Sequence, residues 1–153
     1  MKIVDILDPA AIVPEMRAVT KPEALQELAG ALARLHPEID ERRLMDVLLE
    51  REELGSTAIG EGIAIPHGKL SGVTSVAAAF GRSPRGIDFD SLDGSPTRLF
   101  FLLVAPEDSA GIHLKALARI SRLLKDKGFR ERLLAGTTPE ELYATIKQED
   151  EKY

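Results

Sequence analysis

The sequence predicts a layered α/β domain, and three observations carry that reading. Apolar residues recur at helical spacing before, between and after a few strand-like segments, one of those segments is apolar without interruption, and no linker divides the chain. An uninterrupted apolar run of strand length is the pattern of a strand buried on both faces, as in a sheet covered by helices above and below. With 153 residues, 44% apolar and 29% charged, the chain has the length and composition of one ordinary domain.

The elements follow in order. Thr20-Lys21-Pro22-Glu23 reads as a capping box, in which the Thr hydroxyl accepts from a first-turn amide and the Glu carboxylate reaches back. Leu25, Leu28, Ala29, Leu32 and Leu35 then form one apolar face, and His36-Pro37 ends the helix because the residue before proline disfavours the α region. Asp40 caps a second helix with the stripe Leu44, Val47, Leu48, Arg51, and Gly55 stands where it terminates. The glycine-rich stretch from Gly55 to Gly72 holds Ile59, Ile63 and Ile65 and then Pro66-His67-Gly68, which reads as a short strand entering a tight loop.

Val76, Ala78 and Phe80 alternate as a second strand, and Leu99 to Ala105 is the uninterrupted run of a central one. Arg85 to Thr97 between them reads as a turn-rich connection. Ser109 is placed to cap a third helix with Leu114, Leu117, Ala118, Ser121 and Leu124 as its face, closing near Gly128. A short helix around Phe129 to Leu134 and a last one opened by Thr138-Pro139 complete the domain, residues 1–147, and residues 148–153 read as a frayed charged tail.

Composition removes several function classes. The formal charge is only −5, and no block of Lys and Arg interleaved with aromatics is present, so nucleic acid is not expected as a partner. No cysteine is present, which excludes disulfides, thiolate nucleophiles and Cys-based metal centres and fits a reducing compartment. The N-terminus lacks a signal-peptide core and the run Leu99 to Ala105 is too short to span a bilayer, so the expectation is a cytoplasmic protein that is not membrane-embedded.

The three histidines are the leading candidates for chemistry. His36 ends a helix, where an imidazolium is favourable for structural reasons alone. His67 sits between Pro66 and Gly68, where the proline restricts the approach and the glycine leaves room for a bulky group; its local sequence fits a functional imidazole and an inconsequential surface histidine equally well. Arg51 continues the apolar stripe of the second helix, where a guanidinium needs an anionic partner unless it snorkels to solvent. His113 lies in the first turn of the third helix, where free amides favour an anion; the alternative is a half-buried side chain facing Leu117 and Leu124. A loop imidazole, a core-facing guanidinium and a second histidine at a helix start make sense for holding a phosphoryl group. Gly62 to Lys69 departs from a nucleotide-binding loop, with five residues between its glycines and Leu70 where Ser or Thr is needed. Glu61, His67 and His113 lack the spacing of ligands on one helix, so no metal and no cofactor is expected.

Arg51 to Lys69, read as a whole (REELGSTAIGEGIAIPHGK), closely resembles the signature of the enzyme IIA domain of the fructose/mannitol type in the phosphoenolpyruvate-dependent phosphotransferase system, and the resemblance extends from Ile6 to about Ile146. It implies a three-layer fold, a mixed β-sheet with helices on both faces. It also implies that His67 accepts a phosphoryl group from a histidine-containing phosphocarrier protein, with Arg51 and His113 holding that group. Glu61 matches a position that is acidic in sugar-specific members and often another polar residue in nitrogen-regulatory ones. The stretches GSTAIG and IAIPHGKL look most like the nitrogen-regulatory branch, whose members stand alone, as this chain is expected to. The resemblance then implies regulatory targets such as a sensor kinase or a potassium transport protein. The alternatives are a sugar-specific domain that passes the phosphoryl group to a cysteine of an enzyme IIB, and a binding module that is never phosphorylated.

Overall fold

The computed structural model describes the chain from Met1 to Tyr153, the Ala110 side chain excepted. A 3₁₀ turn, Ile3–Asp5, leads into β1, Leu7–Val13, followed by α1, Lys21–Leu35, and α2, Glu41–Glu53. Three short strands come next: β2, Ala58–Gly60; β3, Ile63–Ala64; and β4, His67–Leu70. Two long ones follow, β5, Ala77–Ile87, and β6, Thr97–Pro106, then α3, Ala110–Leu124, α4, Lys127–Ala135, and α5, Pro139–Asp150.

β6 is the spine of a six-stranded mixed sheet in the order β1-β5-β6-β3-β2. It runs antiparallel to β5 on one side and parallel to both β3 and β4 on the other, Ile63 pairing with Leu99 and His67 with Leu103. Because successive strand side chains point to opposite faces, β6 feeds two cores. Phe100, Leu102 and Val104 join Leu25, Leu28, Leu32, Leu44 and Leu48 of α1 and α2, while Leu99, Phe101 and Leu103 join Ile120, Phe129, Leu133, Leu142 and Ile146 of α3 to α5. The three-layer arrangement is the expected fold class, and the uninterrupted apolar run lies at its centre.

The caps at Thr20, Asp40 and Thr138 form as anticipated, each side chain accepting from first-turn amides. Other expectations need correcting. β1 was not anticipated, because Leu7-Asp8-Pro9-Ala10-Ala11 shows no clean alternation; it forms as an edge strand, where proline is tolerated. β5 extends through Arg85 to Ile87, so the first three residues of the expected turn-rich connection are strand. Ser109 precedes α3, but its hydroxyl donates to the Pro106 carbonyl (2.6 Å) and caps nothing.

The buried face of α3 is His113, Ala116, Ile120, Leu123 and Leu124, rotated from the expected one, and Leu114 is 66% exposed. Apolar residues stand on more than one side of this helix, exposed Ile112 and Leu114 among them, so packing chose the face. The tail expected from residue 148 begins later, since α5 runs to Asp150 with Glu149 and Asp150 fully buried. Asp150 accepts from the Val4 amide and from Arg119 of α3 (2.7 Å), which pins the end of α5 beside the N-terminal turn.

Candidate functional site

β4 lies on the edge of the sheet where both helical layers end, and each layer contributes one side chain beside it. A cleft there is lined by Arg51 from the last turn of α2, His67 and Lys69 from β4, and His113 from α3, with Glu50, Glu53 and Leu54 on its rim. His67 is the first residue of a strand rather than part of a loop; its backbone is fixed by parallel pairing with Leu103, and the Leu103 amide donates to the Pro66 carbonyl (2.9 Å). Gly68 serves packing rather than ligand room. A Cβ there would stand 2.5 Å from Val47 Cγ1, so only glycine lets α2 come this close to β4. That close approach brings the end of α2 to the strand.

The two imidazoles meet edge to face, ring centres 5.3 Å apart at 76°. His67 Nδ1 stands 2.8 Å from the Ile65 carbonyl oxygen, which only accepts, so Nδ1 carries the proton and Nε2 keeps the lone pair. Burial pushes the His67 pKa below its ordinary value; the Ile65 hydrogen bond opposes that shift, the Arg51 charge reinforces it, and the charge of nearby Glu52 opposes it. His113 is shifted the same way, first by burial and then by His67 and Lys69. Both rings are therefore neutral at pH 7. His113 Nε2 is buried and, among the described residues, has no hydrogen-bond partner. A buried nitrogen without a partner is costly unless a ligand supplies one.

Arg51 is half-buried rather than core-facing. Its Nη1 donates to the Gly55 carbonyl (2.8 Å), which folds the guanidinium over the end of its own helix. No carboxylate of the described residues lies within ion-pair reach of Arg51 or Lys69. Behind it, buried Glu52 fixes the following turn by accepting from the amide and hydroxyl of Thr57 and pairing with Lys21 (2.7 Å). The free α3 amides expected to face an anion are not part of this cleft. The His113 amide donates to Ser109, and Ser109 and Ile112 border a separate hollow beside Met1 and Thr74.

The structure thus brings His67, Arg51 and His113 together and leaves Glu61 out. Glu61 stands in the two-residue turn between β2 and β3, at φ 58°, and pairs with Arg130 of α4 (2.6 Å) in another groove. Sequence reasoning missed Lys69. The signal for it is the period of two, since on a strand Lys69 shares a face with His67, whereas the loop reading hid that relation.

Comparison with known proteins finds relatives over nearly the whole chain. Residues 5–149 match the family model described as "Phosphoenolpyruvate-dependent sugar phosphotransferase system, EIIA 2". A nitrogen regulatory protein of Bradyrhizobium diazoefficiens is 47% identical over 146 residues, covering 95% of each chain. The fructose-specific EIIABC component of Bacillus subtilis is 37% identical over 98% of this chain, which spans only 24% of that longer protein. Among solved structures, the nitrogen regulatory protein IIA-Ntr of Neisseria meningitidis superposes with a TM-score of 0.87 at 35% identity, covering 94% of this chain and 98% of the other.

Proposed function

The chain belongs to the type 2 enzyme IIA family of the phosphoenolpyruvate-dependent sugar phosphotransferase system, and from that premise we propose that it carries a phosphoryl group on Nε2 of His67. The observation that supports this most directly is the Nδ1 hydrogen bond to Ile65, which leaves Nε2 as the nucleophilic nitrogen of a neutral ring. The donor is the phosphohistidine of a histidine-containing phosphocarrier protein. The Nε2 lone pair attacks phosphorus, the donor P–N bond breaks, and its electron pair returns to the donor imidazole. Arg51 and His113 then donate to the phosphoryl oxygens, giving the unpartnered His113 Nε2 an acceptor, while the Lys69 charge balances the new dianion.

In this reading the protein acts in the cytoplasm as a nitrogen-regulatory enzyme IIA whose phosphorylation state controls binding to a regulatory target, such as a sensor kinase or a potassium transport protein. The likeness to nitrogen regulatory proteins over nearly the full length of both chains supports that branch. Phosphorylation adds about −1.5 to −2 of charge to the cleft, beside the exposed apolar rim residue Leu54, and repels a partner that docks there.

The test is labelling with phosphoenolpyruvate, enzyme I and the carrier. Acid-labile phosphate is expected on the wild type and none on His67→Ala. Equal labelling of both removes His67 from the role, and wild type that never labels yet retains a partner in a pull-down identifies a binding module instead.

A further inference from the structure

A second groove opens at the other end of the same sheet edge. It runs between the β2–β3 hairpin and the corner where α3 meets α4, with Ile59, Ile63 and Leu124 on its apolar side and Lys125 and Arg130 on its basic side. Beyond Arg130 it continues to Arg98 and Lys127. Ile63 pairs with Leu99 and His67 with Leu103, so about 13 Å of extended β6 separates this groove from the phosphoryl cleft.

Its charge is opposite to that of the molecule. Arg98, Lys125, Lys127 and Arg130 line the groove against Glu61 and Glu131, whereas the whole chain carries −5. Asp126, between the two lysines, is spent on the Phe129 amide at the start of α4. Lys125, Lys127 and Arg98 have no ion-pair partner among the described residues.

Arg130 shows what these cations select. Its side chain is 14% exposed, and Nη1 donates to the Leu124 and Lys125 carbonyls, so the guanidinium is held in place by the end of α3 and presents Nη2 to the groove. The carboxylate on Nη2 is that of Glu61, 66% exposed and reaching in from the hairpin turn. The turn has positive φ at both Glu61 and Gly62, and Asp93 holds it by accepting from the Glu61 amide (3.0 Å). An exposed carboxylate in an ion pair contributes little net stability, so an incoming carboxylate displaces it readily. Beside it Ile59 is 50% exposed.

We infer that this groove docks an acidic segment of a partner protein, whose apolar side chains lie on Ile59 and whose carboxylate replaces Glu61 on Arg130. A protein segment fits the groove better than a nucleic acid, because no aromatic ring lines it for base stacking and its one fixed guanidinium already holds a carboxylate. Glu61 is then a placeholder for the partner's acid, and the groove operates whether or not His67 is phosphorylated.

The experiment is titration of ¹⁵N-labelled protein with a short synthetic peptide alternating Glu and Leu, read by amide chemical shifts. Shifts centred on Ile59, Lys125 and Arg130 are expected. The double variant Lys125→Glu/Lys127→Glu, both positions exposed, should bind about tenfold more weakly, and Glu61→Gln severalfold more tightly; thermal unfolding checks that both variants are folded. Equal affinity for the Gln/Leu peptide, shifts centred on His67, or indifference to the charge reversal would overturn the inference. Binding of anionic lipid vesicles without any peptide binding would overturn it in favour of a membrane surface.

Discussion

The cleft at His67 and the cluster at the end of α5 both bury polar and ionisable groups, and they treat them in opposite ways. At the end of α5, Asp150 is 1% exposed and carries its partners with it, the Val4 amide and the Arg119 guanidinium. Glu149 beside it spends one oxygen on Arg132 and Lys152 and buries the other without a hydrogen-bond partner among the described residues. At His67, among the described residues, His113 Nε2 is buried without a hydrogen-bond partner, and Arg51 and Lys69 make no ion pair although Glu50 and Glu53 also line the cleft. An ion pair closed within the chain holds the fold together, whereas cations without a carboxylate in ion-pair reach can take an anion from outside. Arg51 and Lys69 favour an anion in this cleft.

Three measurements sharpen that contrast, in decreasing order of effect. Arg51→Ala should lower the rate of phosphoryl acceptance by about 10²-fold, the scale of losing one donor to a developing anionic charge, while unfolding shifts by less than about 1 kcal/mol, since the guanidinium is half-buried and bonded only to Gly55. Single-turnover transfer at the wild-type rate would remove Arg51 from the site.

Asp150→Ala should do the reverse. It leaves the Val4 amide without its acceptor and the Arg119 guanidinium with only the residue-150 backbone carbonyl, and it costs about 3 kcal/mol of stability, yet at a temperature where the variant is folded it should accept the phosphoryl group at the wild-type rate. A melting temperature unchanged by that substitution would show that the α5 cluster does not hold the fold.

The third measurement is pH. The folded-state pKa values of His67 and His113 lie below the value of about 6.5 for an unfolded chain. As the pH falls through 6.5 the unfolded chain therefore binds protons that the fold refuses, so the stability contributed by the two neutral rings is present above pH 6.5 and lost as pH falls towards the folded values. Ring ¹⁵N resonances should show both histidines titrating below 6.5; a midpoint above it for His67 contradicts the neutral nucleophile.

Sequence and structure divide the explanation unevenly along the chain. The caps at Thr20, Asp40 and Thr138 and the central strand at Leu99 to Ala105 were legible because each rests on a local rule, a side-chain oxygen near first-turn amides or an apolar run of strand length. β1 and the buried face of α3 were not, because the first lacks alternation and the second competes with apolar residues that stay exposed, Ile112 and Leu114, so contacts distant in sequence decided them. Glu61 shows the same limit in the site. It shares a glycine-rich stretch with His67, yet the register of β3 and β4 along β6 places the two in different grooves.

The sequence alone determined the class of fold, the helix boundaries that local chemistry sets, and the trio Arg51, His67 and His113 as residues to bring together. Only the tertiary structure decided how they meet. The absence of a Cβ at Gly68 lets α2 settle on β4 and brings Arg51 to the strand, and the packing of α3 against β6 turns His113 inward. The Ile65 carbonyl selects which nitrogen of His67 keeps its lone pair. Each is a matter of side chains meeting across the sheet edge, and residue spacing along the chain does not encode that distance.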